Sequence, residues 1–105
     1  MIFIPPKIRS QVIDIVAAEY GVSVKDIRGK SRQQKIVRAR QMYVYIISGY
    51  KPKTEIAKEL NITQRTSITY FIKKVEEWLI LYQDTKEHYQ NIVKTIRTKH
   101  ETKTH

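Results

Sequence analysis

Glycine and proline are scarce in this chain, and between them apolar residues recur with helical spacing from one end to the other. Three glycines and three prolines serve 105 residues, so turns are few and the stretches between them must be regular. Pro5-Pro6 precedes a segment over 6–20 in which Ile8, Val12, Ile15, Val16 and Tyr20 fall three or four residues apart, the period of a helix face. Gly21 follows where a left-handed residue commonly ends a helix. Ser23 opens a single turn through Ile27, closed by Gly29. A longer helix is predicted from Arg32 to Tyr50. There Ile36, Ala39, Tyr43, Ile46, Ile47 and Tyr50 share an arc of about 100°, which marks a core face. Arg38 and Gln41 point almost the opposite way, with Arg40 on the border. Gly49 weakens the last turn and Pro52 ends it. The fold class that follows is all-α, a compact multi-helix domain of five to six helices.

The second half continues the pattern. From Lys53 a helix of about seven residues is predicted from its apolar spacing, followed by a turn and then a helix for which the Thr63 hydroxyl is a candidate N-cap. That helix should bury Ile68, Phe71, Ile72, Val75, Trp78 and Leu79, and present Thr66, Thr69, Tyr70 and Lys73 outward. Ala57 is small where two helices must cross, Ile56, Leu60 and Ile62 anchor the first helix and the turn, and Asn61 can take the left-handed conformation. Residues 54–72 therefore read as a helix-turn-helix. Its second helix would offer free amides and the side chains of Gln64, Arg65, Thr66 and Ser67 to a major groove. A last helix should start at Asp84 with Glu87 as capping-box partner, and its stripe is Tyr89, Ile92, Val93 and Ile96. The expectation is one domain over 1–105, with its core within 6–97 and a polar, frayed tail over 98–105.

Charge narrows the partner. No acid lies between Asp26 and Glu55, while Arg28, Lys30, Arg32, Lys35, Arg38, Arg40, Lys51 and Lys53 all do. Most of the formal net charge of +10 is thus packed into one stretch, which suits a polyanion whose counterions are released on binding. Double-stranded DNA is the expected partner, with five to eight neutralised phosphates and a log–log salt slope of roughly −4 to −7. Cysteine is absent, so disulfides and thiolate metal sites are excluded. No apolar run approaches the ~20 residues that span a bilayer, and the apolar part of Met1–Pro6 is too short for a secretory signal. A cytoplasmic, monomeric protein without cofactors is expected. His88, His100 and His105 form no catalytic constellation, so the chain is not read as an enzyme.

The run Ala18-Glu19-Tyr20-Gly21-Val22-Ser23-Val24-Lys25-Asp26-Ile27-Arg28-Gly29-Lys30-Ser31-Arg32, followed by Val37-Arg38-Ala39-Arg40-Gln41-Met42, resembles the C-terminal DNA-binding domain of the bacterial replication initiator DnaA. The likeness continues through Ile56-Ala57 and the recognition helix to Lys73-Lys74-Val75-Glu76, covering roughly residues 10–97. It implies a fold of the Trp-repressor-like kind and a role in replication or transcription control. By the same resemblance, Arg32 matches the basic-loop arginine that enters the minor groove. Arg40 and Gln41 match phosphate contacts. Thr66 and Ser67 match a pair of threonines that touch phosphate and base edges. Lys30 and Arg38 are electrostatic contributors, and the outward Thr69, Tyr70 and Lys73 complete the expected DNA face.

Departures from the family pattern matter as much. Where the family usually reads Gly-Gly-Arg-Asp-His-Thr-Thr, this chain has Asn61-Ile62-Thr63-Gln64-Arg65-Thr66-Ser67. An amide and a guanidinium replace a carboxylate and an imidazole, which shifts base preference toward adenine and guanine edges. No Gly-x-x-x-x-Gly-Lys-Ser/Thr loop occurs, so a stand-alone binding domain without ATP is expected. The alternative is a protein-interaction module, a decoy or regulator of a replication protein that does not read DNA.

Overall fold

The computed structural model describes residues 3–102, and the elements among them are helical. They are α1 (Pro6–Arg9), α2 (Val12–Tyr20), α3 (Val24–Arg28), α4 (Gln34–Ile47), α5 (Lys53–Glu59), α6 (Arg65–Leu81) and α7 (Gln83–Thr102). One hydrophobic cluster draws a side chain from each of them. Ile8, Val12, Ile15, Val16 and Tyr20 all face it, as their spacing requires. The predicted helix over 6–20 is nevertheless two helices. Ser10 and Gln11 form a turn in which the Gln11 N–H donates to the Ile8 carbonyl at 2.8 Å. The break turns α1 so that Ile4 and Ile8 are fully buried, and α1 packs on α7.

Local chemistry sets the next boundaries. Gly21 has φ 67°, and Val22 and Gly21 donate to the carbonyls of Ala17 and Ala18 at 2.9 and 3.2 Å. These two bonds close a helix through a left-handed residue. Ser23 and Asp26 then form a reciprocal capping box at the start of α3, with bonds of 3.0 and 3.2 Å.

Central in the bundle, α4 packs against α2, α3 and α6. It is shorter than the predicted 32–50, since the chain leaves the helix after Ile47 through a turn to Tyr50 and Lys51. Of the expected core face Ile36, Ala39, Tyr43, Ile46 and Ile47 are buried and Tyr50, beyond the helix end, is half-buried; Arg40, Gln41, Met42 and Val44 are buried as well. An outward direction for Gln41 is thereby corrected, while Arg38 is half-buried. A wheel drawn for one helix assumes a solvent side, and a helix surrounded on three sides has little of it.

The peripheral helices differ. Among the described side chains of α6 only Ile68 and Val75 are fully buried, whereas Phe71, Ile72, Trp78 and Leu79 are half-buried. Its N-cap position is Gln64 rather than Thr63, and no side chain caps it. Helix α7 begins at Gln83, one residue before the expected Asp84, whose carboxylate accepts from the Thr85 amide at 2.8 Å. Helix α7 runs past Thr98 to Thr102, with the Thr95 and Thr98 hydroxyls bonded to the carbonyls of Asn91 and Lys94. Residues 103–105 of the expected tail lie outside the described residues. Among those described, no helix is long and apolar enough to cross a membrane.

Candidate nucleic-acid interface

Helices α5 and α6 are joined by a short turn over residues 60–64. Asn61 has φ 57°, the one positive φ at a non-glycine among the described residues. Ile62 and Asn61 donate to the carbonyls of Ala57 and Lys58 at 2.8 and 3.3 Å, repeating the bonding seen at Gly21. A short amide side chain bears this conformation because it can bond locally. Here Asn61 Nδ2 donates to the Arg28 carbonyl at 3.1 Å, which fastens the turn to the end of α3. Ile56, Ala57 and Leu60 are buried beneath the turn, and the left-handed Asn61 stands as the sequence predicts.

Glu59 ties the same region together from below. It accepts from the Tyr43 hydroxyl at 2.6 Å, and Arg28 and Lys51 lie 3.4 and 3.3 Å from its oxygens. Burial alone would raise its pKa, but the Tyr43 hydrogen bond and the charges of Lys51 and Arg28 outweigh that and hold it below the usual value. Tyr43 in turn has its pKa raised, first by burial and then by bonding to the carboxylate. Sequence reasoning missed Glu59. Its partners Arg28, Tyr43 and Lys51 stand 31, 16 and 8 positions away in the chain, so no local pattern marks it.

Arg40, which by resemblance matches a phosphate contact, is bonded within the chain itself. Its guanidinium is buried and donates to four carbonyls, those of Asp26, Ile27, Gly29 and Ser31, at 2.8–3.2 Å. The loop carrying Lys30 and Arg32 is built around it. Both of those side chains are exposed, and among the described residues neither makes an ion pair or hydrogen bond.

The remaining site residues divide. Gln64, Thr66, Tyr70 and Lys73 are exposed along the start of α6, and Ser67 and Thr69 are half-buried there. Thr69 accepts from Lys53 Nζ at 2.9 Å, and Lys74 Nζ lies 5.6 Å from the centre of the Tyr70 ring. Arg65 opens α6, and its side chain lies outside the described residues. Arg38 is elsewhere: its guanidinium lies over Trp78 at 5.3 Å and 3.6 Å from Asp84, with Nε sealed from solvent. Gln41 is buried, its Oε1 without a partner. These two do not join the exposed set in this arrangement.

Two helices joined through a left-handed turn, the second longer and uncapped at its start, define a helix-turn-helix module. The family model described as the bacterial DnaA protein helix-turn-helix matches residues 9–75, and the chain belongs to that family. It is similar to the chromosomal replication initiator protein DnaA of Spiroplasma citri, at 30% identity over 97 residues, 90% of this chain and 20% of that protein. The same protein of Gloeobacter violaceus is 31% identical over 80 residues, 70% of this chain and 18% of the relative. That of Rickettsia massiliae is 32% identical over 66 residues, 61% and 14% respectively. The chain thus spans a fifth or less of the length of these curated relatives.

Proposed function

We propose that this chain binds double-stranded DNA sequence-specifically, in the control of replication or transcription. In this reading the start of α6 enters the major groove and the Lys30–Arg32 loop reaches the adjacent minor groove. The observation that carries it is the fastening of two exposed polar elements to each other through Asn61 and the Arg28 carbonyl. The uncapped amides of α6 favour phosphate at the same edge. Family membership and the relatives' printed role as replication initiators support the reading. No catalysis, nucleotide or cofactor enters it.

Gln64 and Arg65 are the base-reading candidates, because an amide matches adenine and a guanidinium matches guanine. Selection from a random duplex pool should yield one enriched sequence. The double variant Gln64→Asp, Arg65→His should select another, with about 1–3 kcal/mol of discrimination per altered contact. Identical selections would remove the pair from base reading. The exposed Ile80, Leu81 and Tyr82 at the α6–α7 junction favour a second reading, contact with a replication protein. Such an apolar contact would persist in high salt, where DNA binding fails.

A further inference from the structure

We infer that Arg40 is a positioning residue, which fixes the basic loop at a set offset from the helix-turn-helix before any DNA is bound. The consequence for DNA rests on the function proposed above; the clamp itself does not. Nε donates to the Ile27 carbonyl at 2.9 Å and Nη1 to Ser31 at 3.2 Å. Nη2 donates to Asp26 at 3.2 Å and to Gly29 at 2.8 Å. Four of the five guanidinium donors are thus engaged, and the residue is 8% exposed. The one donor left over is the second Nη1–H; the other four are spent on carbonyls of the loop itself.

The acceptors are spread over six residues, 26–31, which a planar fork can span and a compact ammonium cannot. Across the same segment, Arg28 is held by the other element. Its carbonyl accepts from Asn61 and its guanidinium lies 3.4 Å from Glu59. The loop root is therefore gripped from α4 on one side and from the helix-turn-helix on the other. Lys30 and Arg32 project from a support that is already ordered, so less freedom is lost when they meet a ligand.

Two measurements on the whole chain decide this. In the free wild-type protein, the Arg40 Nε–H resonance should be rigid, and it should keep its position when the selected duplex is added. Arg40→Lys should lower backbone order parameters over 29–32 from about 0.85 to below about 0.6, with α2–α7 intact. It should also weaken binding to the selected duplex at least about tenfold, with less than about threefold on an unrelated one, because phosphate contacts carry no sequence information. A direct phosphate contact predicts the reverse. Arg40→Lys would then bind both duplexes like wild type, and Arg40→Met would lose affinity equally on both, with a salt slope shallower by about 0.9. A mobile Arg40 Nε–H, one that shifts on DNA, or an unaltered loop in Arg40→Lys overturns the clamp. Failure of the wild type to bind any duplex would overturn the DNA reading alone, since loop order is measured without DNA.

Discussion

Helices α4 and α6 carry the same kind of sequence, apolar residues at helical spacing with cations and amides between them, yet they spend those polar groups in opposite directions. In α4, hemmed in by α2, α3 and α6, Arg40 bonds inward to four carbonyls and Gln41 is buried. In α6, which leans on the core through Ile68 and Val75, Thr66, Tyr70 and Lys73 face solvent, as does Gln64 at its N-cap. Positive charge therefore does not by itself mark a contact with DNA. Arg28, Arg38 and Lys51 each pair with a carboxylate, and Arg40 holds a loop. The cations left facing outward on the loop are Lys30 and Arg32. Position in the bundle, more than residue type, decides which polar groups a ligand can meet.

That contrast can be broken by substitution. Tyr43→Ala, in the enclosed helix, should cost about 3–5 kcal/mol by chemical denaturation, since it empties a buried ring's volume and strips Glu59 of its hydroxyl donor. Trp78→Ala, in the half-open helix, should cost less, about 1–3 kcal/mol, chiefly ring packing and the stacked Arg38. Equal losses would contradict the distinction between the two helices. Glu59→Gln should cost about 1–2 kcal/mol at neutral pH. Because the folded state holds this carboxylate's pKa down, its contribution is complete above the unfolded value of about 4.3 and is lost as pH falls through the folded one. Acid titration of stability should accordingly be flatter in the Gln variant than in wild type, and parallel curves would deny Glu59 its role. Smallest of all, Arg32→Ala should leave stability within about 0.5 kcal/mol. The same change should remove about 1–3 kcal/mol of affinity for the selected duplex, measured by titration.

Features set by a few neighbouring residues were legible in the sequence. Gly21 and Asn61 take left-handed backbone where helices must end, Ser23 starts α3, and the α5–α6 hairpin follows from Ile56, Ala57, Leu60 and Ile68. What escaped depends on distant partners. Arg40 bonds to residues nine to fourteen positions earlier, and Glu59 meets Arg28 from thirty-one positions away. Neither separation leaves a periodic trace. The break at Ser10 and the missing side-chain cap before α6 are different again, because the residues there tolerate a helix and a hydroxyl cap equally well. Packing of α1 against α7 decides the first. Nothing in the structure explains why Thr63 leaves the cap position to Gln64.

Salt dependence of duplex binding tests the central claim most directly. The eight cations of the acid-free stretch, taken at face value, suggest five to eight neutralised phosphates. With Arg38 paired to Asp84 and Arg40 bonded to the loop carbonyls, Lys30, Arg32, Lys73 and the first amides of α6 are taken as the principal contacts, so about four to six phosphates are expected. Affinity for the selected duplex should then fall log-linearly between low and physiological salt, with a slope of about −3.5 to −5.5. An affinity that stays flat over that range would contradict a DNA interface built from the basic loop and α6.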